Sequence, residues 1–336
     1  MPVLTPTVDV YHKASDLPPY VWDTLEECAA EANCVLPLAL KACEDEKNPH
    51  ICSSDFWILC HYPHSSTVDF ILSATHNELG EYPIFIVPLC DLEDLQTGFV
   101  NSRMEAMVAK LREVTPVERV YSVFAPYAIA NAFTNYWTRM TTVMREPEAY
   151  YDAQLSICNR KTFRKRQNTI SEDIRHSSRP ATESDIPRIA ELCYEFSQDS
   201  DPFFLTPEDA RLEAVSLVRN QQVWVQEVSL KGSRPCITCI AAFTRNSSTH
   251  ATITKVFTDT NSRGQKSAQR LVRRVCEYLF SQGKDTVSLY VGRKKDAAVK
   301  VYHNVGFAGL TPGAMDDSKR WLEIGFDQKK VDLGHW

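Results

Sequence analysis

The chain has 336 residues, of which 43% are hydrophobic and 24% charged, with a net charge of −6. This is the composition of a soluble globular protein with room for two domains. No apolar run approaches the length that crosses a bilayer, and the opening MPVLTPTVDVYHK lacks the basic start and apolar centre of a signal peptide, so a cytoplasmic protein without a membrane partner is expected.

The eleven cysteines are odd in number and follow no framework spacing, which suits reduced thiols. Charge is uneven. Residues 1–174 carry 14 basic and 24 acidic side chains, residues 175–336 carry 23 and 19, so positive charge gathers in the second half. The excess is too mild for a nucleic-acid partner, which would require a strongly basic stripe.

In chain order, the first fifty residues predict one helix, Pro19 to Asn33, with Leu25, Cys28, Ala29 and Ala32 on one face. Phe56–Tyr62, Thr67–Ser73 and Pro83–Leu89 read as strands, the last two joined by a hairpin across His76–Glu81. A helix over Arg103–Arg112, a strand over Val120–Ala125 and a helix over Tyr127–Trp137 follow. The polar stretch 159–173, basic from Arg160 to Arg166, reads as a linker. A localisation or nucleic-acid signal is the alternative there.

The second half opens with a strand at Ile174–Ala181 and a helix whose apolar positions are Ile186, Ile189, Cys193 and Phe196. Thr206-Pro207-Glu208-Asp209 starts another helix, with a hydroxyl cap, a proline in the first turn and acids at the positive end. Strands are expected at Gln222–Val228, Pro235–Phe243 and Thr249–Thr258, then a helix from Ser267 to Phe280, a strand at Thr286–Val291 and a short helix ending at Gly306. The last strands fall near Phe307–Leu310 and Trp321–Phe326.

Between the strand Thr249–Thr258 and the next helix lies Arg263-Gly264-Gln265-Lys266-Ser267-Ala268. Gly264 lets backbone approach a ligand, and the free N–H groups and dipole of the helix favour an anion, most naturally a pyrophosphate. Arg263 and Lys266 add charge beside it. By itself such a loop also fits a solvated turn with surface basics.

The segment resembles the acyl-CoA-binding core of the GNAT superfamily of acyl-CoA-dependent N-acyltransferases, whose loop follows Gln/Arg-x-x-Gly-x-Gly/Ala and is commonly written Arg-Gly-x-Gly. Arg263, Gly264 and Ala268 keep that pattern, while Lys266 stands where the family usually has glycine. A second family block, Ala-x-x-x-Tyr-x-x-x-Gly-Phe, is met by Ala298, Tyr302, Gly306 and Phe307. The resemblance covers about residues 174–328 and implies an α/β (α+β) fold, a mixed, mostly antiparallel sheet flanked by helices.

The first half repeats the order strand, helix, strand, helix, with Val120 and Val287 in corresponding strands. Two such units in tandem are therefore expected, 1–158 and 174–336, joined by 159–173. The first would be a degenerate copy, since Asp91, Glu93 and Asp94 stand where the cofactor loop should be and repel phosphate.

By resemblance, Arg263, Gly264, Gln265, Lys266, Ser267 and Ala268 would hold the pyrophosphate of acetyl-CoA. The strand edge at Val256, Phe257 and Thr258 would bind the pantetheine arm and polarise the thioester, and Tyr302 would protonate the leaving thiolate. No carboxylate lies on the strand before Asp259, which leaves His250 as candidate base, with Glu227 as another.

The expected acceptor is a small-molecule amine, on a monomer or homodimer; a non-catalytic CoA-binding or interaction module is the alternative. No metal is expected. Cys236 and Cys239 lie three apart on a strand and face opposite sides, and His50, Cys52, Cys60, His61 and His64 follow no recognised ligand spacing.

Overall fold

The computed structural model describes residues 5–62, 67–90, 97–165, 174–230, 233–311 and 314–335. Asp91, Glu93, Asp94, His64 and Arg166, on which sequence expectations rest, lie outside the described residues. In chain order the longer elements are β1 (Thr7–Tyr11), α1 (Pro19–Glu27), α2 (Leu36–Asp45), β2 (Phe56–His61), β3 (Phe70–Ala74), β4 (Ile84–Pro88), α3 (Thr97–Val114), β5 (Ser122–Pro126), α4 (Tyr127–Thr141) and β6 (Tyr151–Asn159). They continue with β7 (Ile174–Pro180), α5 (Ile186–Ser197), α6 (Pro207–Arg219), β8 (Val223–Leu230), β9 (Cys236–Ala242), β10 (His250–Ile253), β11 (Lys255–Thr258), α7 (Ser267–Ser281), β12 (Thr286–Gly292), α8 (Asp296–Val305) and β13 (Arg320–Gly325).

The chain divides into two compact units, Met1–Ala153 with Asp317–Trp336, and Gln154–Asp316. This departs from the expected boundaries in two ways. β6, unpredicted, carries the chain from one unit into the other, so residues 159–165 are not a free linker. β13 belongs to the first unit because it pairs antiparallel with β5, Trp321 opposite Pro126 and Gly325 opposite Ser122.

In the first unit β1, β2, β3 and β4 are antiparallel neighbours, and β4 runs parallel to β5. β4 pairs with β3 through Pro88 but with β5 only at Ile84 and Phe85, so its end leaves β5. The single helix expected within the first fifty residues is two helices. The turn from Cys28 separates them, held where Asn33 Nδ2 donates to the Ala30 carbonyl at 2.6 Å.

In the second unit the order β7, α5, α6, β8, β9, then strand, α7, β12, α8 repeats that of the first. α5 and α6 cover one sheet face, burying Ile189, Leu192, Leu217, Val225, Ile240 and Phe257 together. α7 and α8 cover the other, with Leu271, Val275, Trp224, Ala241, Ile253 and Leu289. Strand alternation places Val225 and Trp224 on opposite faces. Each large apolar side chain so buried contributes about 1.5–3 kcal/mol.

The expected strand Thr249–Thr258 is broken. β10 pairs parallel with β12, Ile253 opposite Leu289, whereas β11 pairs antiparallel with β9 in a separate sheet, Lys255 opposite Ala242. The break falls on Thr254, whose N–H donates to the Ala242 carbonyl at 2.9 Å.

α8 ends in a paired cap. Gly306 N–H donates to the His303 carbonyl and Phe307 N–H to the Tyr302 carbonyl, both at 3.1 Å, the Schellman pattern, with φ of 117° at Gly306. A Cβ there would also overlap the Thr162 carbonyl oxygen, because the turn after β6 packs on this cap. Gly306→Ala therefore meets both a left-handed backbone and a collision, and a loss of about 2–4 kcal/mol is expected in urea denaturation.

Candidate active site

The site begins at the break. Among the described residues β11 ends its sheet and has β9 on one side only. Asp259 N–H donates to the Thr238 carbonyl at 2.9 Å. By the alternation of an antiparallel ladder, Phe257 then bonds toward β9 while Val256 and Thr258 direct their backbone groups to the open edge. The Thr258 carbonyl meets Arg263 Nε at 3.4 Å there. Phe257 itself is buried, edge-to-face with Phe196 of α5, and fixes the strand rather than facing a ligand.

The turn leaving β11 is held from α5. Arg188 pairs with the Asp259 carboxylate and donates to the Ile237 carbonyl, and Asp259 accepts the Asn261 N–H at 2.8 Å. Arg188 lies 71 residues before its partner, and no local pattern marks it. At the break, Lys255 Nζ meets both Glu213 oxygens of α6 at 2.6 Å. Sequence reading missed this pair for the same reason.

Arg263, Gly264, Gln265 and Lys266 are all exposed. Gly264 has φ of 83° and nothing within 4 Å of where a Cβ would stand. Backbone conformation, not crowding, calls for glycine, and the space over it is open. The first bond within α7 runs from Arg270 N–H to the Lys266 carbonyl, leaving the N–H groups of Ser267, Ala268 and Gln269 without an intrahelical acceptor. At α6 the equivalent groups are capped, Thr206 Oγ1 accepting from Asp209 N–H at 3.1 Å. The α7 N-cap is Lys266, which makes no side-chain cap and has no acceptor to make one with. The Ser267 hydroxyl is buried with no partner among the described residues.

A bare helix start, a left-handed glycine and an arginine form a donor set that fits a pyrophosphate. Lys266 itself has φ of 59°, the conformation for which glycine is best suited.

Tyr302 sits in α8 within the core beneath α7 and β12. Its ring meets Phe307 edge-to-face at 5.9 Å. The block Tyr302–Phe307 thus has a packing role in the helix cap.

His250 lies apart from this constellation. It is fully buried, with Nδ1 at 2.7 Å from Thr286 Oγ1 and Nε2 at 2.8 Å from Ser288 Oγ and 3.2 Å from Thr252 Oγ1. Burial, with Lys284 nearby, lowers its pKa to about 3. It also stands four residues before the break, about 13 Å along the strand. Such contacts make it a neutral hub joining β10 to β12, and they count against the general base expected of it.

Cys236 is exposed and Cys239 buried; a bulge in β9 sets them opposite Val228 and Gln226, on one face of the sheet and not on the opposite faces that unbroken alternation predicts. His61 Nε2 is engaged with Asp9 at 2.8 Å, and no cluster of three potential metal ligands occurs among the described residues.

Residues 185–307 match the acetyltransferase (GNAT) family. The second half carries a GNAT domain. A tandem GNAT protein from the clavulanic acid biosynthesis pathway shares the fold at 9% identity and a TM-score of 0.53, covering 96% of this chain and 98% of its own. A GCN5-related N-acetyltransferase from Sphaerobacter thermophilus does so at 13% and 0.55, with 99% of each chain covered. A Drosophila protein aligns at 8% and 0.59, over 96% and 98%. No curated protein matches in sequence. At such identities the likeness is one of fold, a mixed, mostly antiparallel architecture of two GNAT-like units in tandem.

Two outcomes are expected from the GNAT domain. Lys266→Gly relieves a left-handed lysine and raises stability by about 1 kcal/mol in urea denaturation. An unfolded histidine protonates near 6.5 and His250 in the fold near 3, so between these values the unfolded state binds more protons. Its contribution is complete above the upper value and is lost as pH falls toward the lower. His250→Gln should flatten this part of the stability-versus-pH curve.

Proposed function

We propose that the chain is an acyl-CoA-dependent N-acyltransferase, moving acetyl from acetyl-CoA to the primary amine of a small molecule by direct attack in a ternary complex. The observation that carries this is the continuity of an open strand edge, Val256–Thr258, with an uncapped helix start, Ser267–Gln269. Amide donors along one and anion-binding donors at the other suit a ligand that is amide-rich at one end and a pyrophosphate at the other. Acetyl-CoA, when bound, supplies the activated thioester.

In this reading Arg263, the Gly264–Ala268 backbone and the α7 dipole hold the phosphates. An edge N–H of Val256 or Thr258 polarises the carbonyl under attack, the role of an oxyanion hole. Tyr302 donates a proton to the departing sulfur. Water relays the amine proton outward, since β11 offers no carboxylate and His250 is neutral and enclosed.

The first unit reads as a degenerate copy from a described residue. Counting from the last residue paired to the parallel neighbour, Ile253 or Phe85, the third position onward is Val256 in the GNAT domain and Pro88 in the first unit. Proline has no N–H to offer a ligand. A non-catalytic CoA-binding protein is the second reading, favoured by the enclosure of His250.

Calorimetric titration with acetyl-CoA is expected to show binding that Arg263→Glu weakens at least about tenfold. Turnover across an amine panel then separates the readings. Tyr302→Phe should lower kcat by about a hundredfold with acetyl-CoA affinity little changed. Binding without turnover of any amine selects the second reading; no binding sinks both.

A further inference from the structure

A cleft of about 400 Å³ opens where β7 ends, α6 ends and β8 begins, beside the last turn of α7. Its volume lies within the ordinary range of small-molecule pockets. Tyr278, its residue on α7, stands eleven positions and about 16 Å along the helix from Ser267. No residue of the cofactor loop lines it.

One part of the lining is apolar and aromatic. Trp224 is 5% exposed and its ring lies 5.1 Å from that of Tyr278, with Pro180 and Val218 beside them. The other part is polar, made of Glu183 just before α5, Arg219 in the last turn of α6, Gln221 and the Tyr278 hydroxyl. None of these four groups has a hydrogen-bond or ion-pair partner among the described residues. Glu183 and Arg219 thus line one space with opposite charges and do not pair. Elsewhere in this unit opposite charges on neighbouring elements are joined, Arg179 to Asp185 at 2.7 Å and Lys255 to Glu213 at 2.6 Å.

Gln221 departs from the local pattern. α6 closes with Gln222 N–H on the Leu217 carbonyl at 2.9 Å and Gln221 N–H on the Val218 carbonyl at 3.0 Å, a cap whose left-handed residue is usually glycine. Here that residue is Gln221, with φ of 55°. A side chain is kept where its removal would relax the backbone, and it lines the cleft. Strained residues of this kind gather at ligand sites.

We propose that this cleft binds a free aromatic α-amino acid as its zwitterion. The carboxylate meets Arg219, whose guanidinium fork matches it with two parallel bonds, and the ammonium meets Glu183. The ring lies against Trp224 and Tyr278. A ligand with both charges on one carbon satisfies two groups that the fold leaves apart, whereas a simple anion or cation satisfies one. The site stands whether or not the chain binds acetyl-CoA.

The test titrates phenylalanine calorimetrically into the full chain and into the variants Glu183→Gln and Arg219→Gln. Both positions are exposed, so neither variant is expected to move the urea midpoint. N-acetylphenylalanine, which lacks the ammonium, and phenethylamine, which lacks the carboxylate, serve as the comparison ligands.

Saturable binding of phenylalanine is expected, weakened at least about tenfold by either variant. N-acetylphenylalanine should bind the unaltered chain more weakly than phenylalanine does, and the Glu183→Gln chain equally well; phenethylamine should show the same pattern with Arg219→Gln. No saturable binding of phenylalanine overturns the proposal. So does binding that both variants leave unchanged, which would place the amino acid elsewhere, the acyl-acceptor position included.

Discussion

One residue, Thr254, decides where everything else in the GNAT domain goes. Before it the chain pairs with β12, after it with β9, and no single flat strand can satisfy both. On one side α5 and α6 pack against β8, β9 and β11; on the other α7 and α8 pack across both sheets, against Trp224 and Ala241 as well as Ile253 and Leu289. Backbone groups in an interior are nearly always paired. The open edge of β11 follows from the divergence at Thr254, beyond which the strand has β9 on one side and no strand on the other among the described residues. The loop and helix beyond β11 inherit their position from that opening.

The helix that comes next illustrates how electrostatics can be prepared by omission. α6 closes its first turn with Thr206 and Asp209, an arrangement worth about 1 kcal/mol. α7 begins with a lysine in the left-handed region, which can neither cap nor relax. A chain under selection for stability alone would place serine or aspartate there. The same N–H groups, without an intrahelical acceptor, stand at the end of the loop that Arg263 opens, and the turn leading into that loop is tied to α5 by the Arg188–Asp259 pair.

Much of this was written locally enough to be read from the sequence. The cap of α6, the amphipathic face of α5, the loop Arg263–Ala268 and the glycine at the end of α8 each depend on residues within a turn of one another. What the sequence concealed depends on distant partners. The apolar pattern of Thr249–Thr258 runs unbroken through Thr254, and only pairing with residues 13 and 36 positions away splits it. His250 reads as a titratable group; three hydroxyls from two strands turn it into a buried one. Arg188, Glu213 and Lys255 look like surface charge. In the first fifty residues, apolar positions on both sides of Cys28 continue a helical period, and the turn that interrupts them leaves no proline or glycine as a sign.

The placement of β13 bears on how the molecule comes into being. Its residues complete the sheet of the first unit, where Glu323 is buried and accepts the Ser122 hydroxyl at 2.9 Å, yet they are encoded after the whole of the second. A ribosome making this chain releases every residue of the GNAT domain before the first unit can close. Until then one side of β5 stands as an open β-edge. The unit that starts synthesis is thus the last whose sheet can be completed, and during that interval the β5 edge is open to mispairing.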